Sequence, residues 1–216
     1  IRAVAAERGH PIAVLADLPG PKIRAGAFPE GGTRLVAGSN VQLASGDGPS
    51  NEHRIMVPYP TLLEDLRVGA RVQLGDGAIA MRVLGIGEAS ATALLETGGE
   101  ANGRPGVHLS SDNLRLPSPT ARDLVLAEAV AAAGVEFIAV SFVRSPDDIE
   151  KVREVVGDRA QLVAKMETRA SVEHLHEIVA AADVVMVARG DLGIDCPIED
   201  VPHLQKRIVR HCVEAG

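Results

Sequence analysis

Beyond Pro117 the chain switches repeatedly between two hydrophobic periods. Three- and four-residue spacing predicts helices over about 120–133, 146–156, 171–182 and 198–213. Between them lie short unbroken apolar runs, FIAVSF, LVAKM and VVMVAR, of the kind expected for strands buried on both faces. Strands alternating with helices at this spacing imply right-handed βαβ units and a parallel sheet. The opening IRAVAAERGH reads as the end of a helix already under way, and PIAVLAD (11–17) as a buried strand. LPGPKIRAG (18–26) follows, a shaped loop with two prolines and two glycines in nine residues.

Between about 28 and 116 the pattern is different. Segments such as RLVAGSNVQLAS, RIMVP, ARVQLGDGAIAMRVLGIG and SATALLETGG alternate apolar with polar residues between glycine-rich turns, which predicts a small all-β unit. A stretch this long far exceeds an ordinary strand-to-helix connection, so it is read as a domain inserted into a loop. The expected organisation is a discontinuous α/β domain, 1–26 with 117–216, and an inserted β-domain, 27–116. Gly75-Asp76-Gly77 sits between two strand-like runs, where a hairpin turn is the simplest reading of Asp76.

Candidate chemistry gathers where the predicted strands end. In LVAKMETRAS, side chains alternate faces, so Lys165 and Glu167 point the same way with Met166 opposite. In VVMVARGDLG, the glycines permit a tight turn, and a turn or helix start there offers N–H groups to an anion while Asp191 faces a metal. Each motif alone is read equally well as a structural ion pair or an ordinary turn. Together, a lysine and two carboxylates are the equipment of magnesium-assisted phosphoryl transfer. Asp17, Ser141, Arg144, Lys165, Glu167 and Asp191 all fall at or just beyond the C-terminal ends of predicted strands, the edge where an α/β barrel collects catalytic groups. Lys22 and Arg24, in the 18–26 loop, are further anion-binding candidates.

Composition narrows the class. Aromatics are 2% of 216 residues, with no Trp, so Ala, Val, Leu and Ile must build the core, which suits close helix-on-sheet packing. A net charge of −7 argues against a general nucleic-acid or anionic-membrane surface. Cys196 and Cys212 have no CxxC spacing and are expected as free thiols, and His174 and His176 as surface residues. No apolar segment of about 18 residues and no signal pattern is present, so a cytoplasmic protein is expected. The first residue is Ile, and the chain is expected to be a piece of something longer.

In order along the chain, AVLADLPGPKIRAG, the GDG of the β-rich insert, GVHLSSDNLRLPSPTARDL, FIAVSFVRSPDDI, LVAKMETRAS and VVMVARGDLG resemble the pyruvate kinase family nearly end to end. The resemblance implies a partial (β/α)8 TIM barrel, strands three to six and the sixth helix, interrupted after strand three by a small β-barrel lid. Two sheet edges would be open, and the piece alone is expected to be an incomplete, marginally stable catalyst. It also implies Mg²⁺-dependent transfer, with Mn²⁺ as a possible substitute, from phosphoenolpyruvate to ADP, giving pyruvate and ATP, in a parent that is a homo-oligomer. Lys165 matches the lysine that stabilises the phosphoryl group in flight, and Glu167 and Asp191 the metal ligands. The backbone of Ala188, Arg189, Gly190 and Asp191 would hold the substrate carboxylate. Arg24 matches a catalytic arginine on the nucleotide phosphates, and Asp76 a nucleotide-side residue of the lid. Ser141 and Arg144 would sit beside the pocket. Asp17, Leu18 and Lys22 form the monovalent-cation region, and Lys22 in place of a glutamate implies activity without K⁺.

Two departures stand out. Arg104-Pro105-Gly106 replaces a basic pair before the glycine, and Met166 the more usual isoleucine. The first keeps open an alternative, a catalytically impaired pyruvate-kinase-like binding or regulatory protein. Another Mg²⁺-using barrel enzyme, an aldolase or mutase, is argued against by the inserted β-domain.

Overall fold

The structure is a computed structural model that describes residues 1–75, 77–109 and 116–216. In chain order the elements are α1 (Arg2–Glu7), β1 (Leu15–Asp17), β2 (Thr33–Leu35), β3 (Asn40–Ser45), β4 (Arg54–Val57), α2 (Leu62–Asp65), β5 (Arg71–Leu74) and β6 (Ile79–Ile86). There follow β7 (Ala91–Thr97), β8 (Gly99–Ala101), β9 (Val107–Leu109), α3 (Ala121–Ala132), β10 (Phe137–Val140), α4 (Pro146–Val156) and β11 (Gln161–Met166). The last are α5 (Arg169–Glu173), α6 (Leu175–Ala181), β12 (Val184–Val187), α7 (Arg189–Asp195) and α8 (Val201–Ala215). The chain divides into two compact units: Ile1–Pro21 with Pro117–Leu192 and Glu199–Gly216, and Lys22–Leu116 with Gly193–Ile198.

The first unit is α/β. β1, β10, β11 and β12 lie side by side in that order, all parallel, as a partial barrel sheet. β10 and β11 are central, and Ile138, Ala139, Val140, Leu162, Val163 and Ala164 are buried there as the unbroken apolar runs require. α4 turns Ile149, Val152 and Val156 inward, with Pro146 in its first turn, where a missing N–H costs no helical bond. α3 is capped by Thr120, whose hydroxyl accepts from Asp123 N at 3.1 Å while Asp123 Oδ2 accepts from Thr120 N at 2.8 Å.

Four expectations are corrected. The first strand is three residues, not seven, because its ladder to β10 begins at Leu15. β12 is not buried on both faces: Val184 and Met186 are 37% and 36% exposed, since among the described residues β12 pairs only with β11. The helix expected over 171–182 is two, beginning at the Thr168 cap and broken at His174, whose φ of −98° and ψ of 30° leave the helical region. The last helix starts at Val201 rather than near 198, because Pro202 belongs in a first turn and lacks the N–H that an earlier turn would need.

The second unit is built around a six-stranded sheet, β4-β3-β7-β6-β5-β9, with β2 and β8 paired separately. All its pairs are antiparallel except β3 with β4. Leu43, Ile55, Leu74, Met81 and Leu95 are essentially inaccessible within one apolar cluster. β5 turns back into β6 through Gly75 and Gly77, both at positive φ (65° and 86°), a conformation that disfavours side chains. Among the described residues no helix is long and apolar enough to cross a membrane.

Candidate functional site

The parallel registers decide what meets what. Asp17 lies opposite Ala139, Val140 opposite Ala164, and Met166 opposite Val187, so the four strands finish along one edge of the sheet in a stagger, β11 and β12 running past the ends of β1 and β10. Asp17, Ser141, Lys165, Glu167 and Ala188 are thereby delivered to one edge. As strand alternation requires, Met166 is fully buried while Lys165 and Glu167 share the opposite face.

Lys165 is the hub. Its Nζ donates to Ser141 Oγ at 2.8 Å and to Asp17 Oδ1 and Oδ2 at 3.2 and 3.3 Å, and lies 3.5 Å from Glu167 Oε2. Ser141 Oγ in turn donates to Asp17 Oδ1 at 3.3 Å. The ammonium therefore faces two carboxylates and a hydroxyl, and only 13% of its side chain is exposed.

Glu167 is 1% exposed. Its Oε1 accepts from Phe142 N at 2.6 Å, but its Oε2 is buried and accepts no hydrogen bond among the described residues. Burial raises its carboxyl from the usual range to about 7, against the pull of Lys165 and the Phe142 N–H, and the like charge of Asp191 pushes it the same way as burial. A buried carboxylate oxygen with an unmet acceptor, next to a second carboxylate, suits a hard divalent cation. Mg²⁺ takes one or two protein carboxylates and keeps its other positions for water and substrate oxygens. The residues present fit it. Among the described residues no cluster of three or more His, Cys, Asp or Glu side chains could hold a metal by itself.

Asp191 stands in the first turn of α7, which begins directly after β12. Ala188 N donates to Met166 O at 3.2 Å, and Ala188 O accepts from Leu192 N at 3.0 Å. The N–H groups of Arg189, Gly190 and Asp191 thus precede the first helical bond and point out of the helix start.

The other candidates fall elsewhere. Leu18 is buried, its N–H donating to Ala139 O at 2.9 Å. Lys22 and Arg24 are exposed residues of the β-rich unit, where Arg24 Nη1 donates to Arg104 O at 3.2 Å and Ala25 N to Pro105 O at 2.9 Å. Pro105 therefore contributes a carbonyl to the pairing of Arg24 with Gly106. Asp76 lies outside the described residues. Arg144 donates its N–H to Asp148 Oδ2 at 2.9 Å. His174 and His176 are exposed, the latter against the ring of His211.

Sequence reasoning missed two contributors. Phe142 supplies Glu167 through its backbone, which no side-chain motif can announce. Asp123, buried in the α3 cap, also accepts from Gly20 N at 3.1 Å and so ties the turn after β1 to α3; its place three residues after Thr120 was the available signal.

Comparison with known proteins agrees with this architecture. A family model described as "Pyruvate kinase, barrel domain" matches residues 1–216. A pyruvate kinase of Methylorubrum extorquens is 39% identical over 210 residues, 97% of this chain and 44% of the relative. Those of Mycobacterium intracellulare and Thermotoga maritima are 38% and 35% identical over 97% and 94% of this chain. The chain spans less than half the length of the curated relatives it matches. A parallel sheet ending in Lys165, Glu167 and Ala188, with the matching family model over its whole length, makes this chain a member of the pyruvate kinase family.

Proposed function

We propose that this chain carries the metal and phosphoryl-transfer centre of a cytoplasmic pyruvate kinase, which moves the phosphoryl group of phosphoenolpyruvate to ADP in the last step of glycolysis. The observation that supports it most strongly is the buried Oε2 of Glu167, which faces the Lys165 ammonium at 3.5 Å and accepts no hydrogen bond among the described residues. A purely structural ion pair would be expected to use that oxygen in a hydrogen bond.

Glu167 and Asp191 would hold Mg²⁺, or Mn²⁺ in its place; when bound, the ion neutralises charge on phosphoryl oxygens. The chain's own groups do the rest. Lys165 holds a fixed positive charge at the strand edge, in a partly dry setting where it acts more strongly on developing negative charge than in water. Asp17 and Ser141 hold its Nζ in place through direct hydrogen bonds. The amides of Arg189, Gly190 and Asp191, at the start of α7, would orient the substrate carboxylate. Arg24 and Asp76 are assigned to the nucleotide side by resemblance. Lys22, standing where relatives with glutamate recruit K⁺, would make the monovalent ion dispensable.

The test is pyruvate formation by the protein expressed from its complete reading frame, with phosphoenolpyruvate, ADP and Mg²⁺ in buffer free of Na⁺ and K⁺. Turnover that vanishes with chelator, is lost in Asp191→Asn, and rises less than about twofold on adding K⁺ is expected. A large rise on adding K⁺ would refute the role given to Lys22. A folded protein that binds phosphoenolpyruvate but never turns over would refute the kinase reading in favour of a regulatory one.

A further inference from the structure

Glu167 Oε2 faces the Lys165 ammonium but accepts no hydrogen bond among the described residues; its orientation depends on what engages Oε1, and that is the backbone of a residue in an uncommon conformation. Among the described residues Phe142 is the one non-glycine at positive φ, 55°. Left-handed backbone is unfavourable for an ordinary residue and persists where the surroundings fix it. Here they fix both sides. Ser118 Oγ donates to Ser141 O at 2.8 Å before the turn, and Thr168 Oγ1 donates to Val143 O at 3.0 Å after it, all from buried residues. Gly20 completes the arrangement: a Cβ there would lie 2.8 Å from Phe142 Cδ2 and 3.1 Å from Ser141 Cβ. The outcome is the 2.6 Å bond from Phe142 N to Glu167 Oε1.

We propose that Phe142 is a positioning residue whose left-handed backbone aims its N–H at Glu167 Oε1, fixing the carboxylate so that Oε2 is reserved for the cation. The side chain is incidental to this role; what matters is tolerance of positive φ. The proposal rests on the reading of Glu167 as a metal ligand.

The two possible roles of Phe142 rank substitutions in opposite orders. Glycine and asparagine accept positive φ readily and β-branched valine does not, whereas apolar packing would favour valine over both. Mn²⁺ affinity, read by electron paramagnetic resonance on the protein expressed from its complete reading frame, separates them without any assay of turnover. Phe142→Gly and Phe142→Asn are expected to bind within about twofold of the unsubstituted protein, and Phe142→Val about tenfold more weakly. If Phe142→Val binds like the unsubstituted protein, or binds better than Phe142→Gly, the proposal is overturned. Glu167→Gln is the control for the underlying reading: unchanged Mn²⁺ binding there refutes the metal site itself, whereas loss there with no effect of Phe142→Val refutes only the positioning role. Should Phe142→Val fail to fold, an ester oxygen in place of the Phe142 N–H removes the donor and keeps the ring. A drop of about tenfold then supports the proposal, and parent-like affinity overturns it.

Discussion

Glu167 is buried at the site at a desolvation cost. Its carboxyl titrates near 7, above its unfolded value, so the folded state holds this proton more tightly than the unfolded state does. The stability linked to that proton is present below pH 4.5 and declines as pH rises through about 7, by roughly 3 kcal/mol at most. At pH 8 a neutral isostere escapes that cost. Glu167→Gln is therefore expected to be at least as stable as the parent in urea at pH 8 while losing Mn²⁺ binding, the trade expected of a functional charge rather than a structural one. Destabilisation beyond about 1 kcal/mol would assign the carboxylate to the fold instead. Period-two alternation made the shared face of Lys165 and Glu167 legible in the sequence. The contacts of Lys165 with Asp17 and Ser141 were not, because they depend on how three strands are staggered. Nor was the φ of Phe142, since nothing in a phenylalanine signals left-handed backbone.

At the scale of elements, local chemistry explains where helices begin better than where burial lies. The Thr120–Asp123 box starts α3, and Thr120→Ala is expected to cost about 1 kcal/mol, measured by chemical denaturation; no change would mean that packing alone sets that boundary. α1 is tied to Glu136, the residue before β10, by Arg2 Nη1 on Glu136 Oε1 at 2.9 Å, and β1's approach by Val14 N on Glu136 Oε2 at 2.7 Å. The Arg2 bond first, then the Val14 N–H, lowers the Glu136 carboxyl to about 2. This contribution is thus fully present above pH 4.5 and is lost as pH falls towards 2. Because the pair is exposed, it should also weaken in salt. Unfolding curves between pH 5 and 2 should fall more steeply for the parent than for Glu136→Gln; identical slopes would contradict the assignment. The alternation of helices and strands was readable because the two periods differ. The break at His174 was not, since apolar spacing continues across it through Val172, Leu175 and Ile178. The half-exposed β12 was not either, because a strand's burial depends on its neighbours rather than its own residues.

At the scale of the whole chain, two cores divide the work. The β-rich unit owns a closed apolar cluster that includes Leu43, whereas the α/β unit carries the strand edge with Lys165 and Glu167. Leu43→Ala is expected to cost about 2–5 kcal/mol. Under hydrogen exchange it should expose amides such as Val72 and Ala93 while Ile138 and Val163 stay protected. Loss of protection in both sets would mean that the units unfold as one. In the sequence, the change of pattern near 28 and 117 is read as a domain boundary, because an alternating period cannot continue a βαβ repeat. The most direct test of the central claim is ATP formation from phosphoenolpyruvate and ADP by the protein expressed from its complete reading frame, compared with its Lys165→Met variant, with phosphoenolpyruvate binding measured in both. The account predicts ATP from the parent and a fall of at least about 10²–10³-fold in the variant, with binding retained. Equal rates from parent and variant would contradict it.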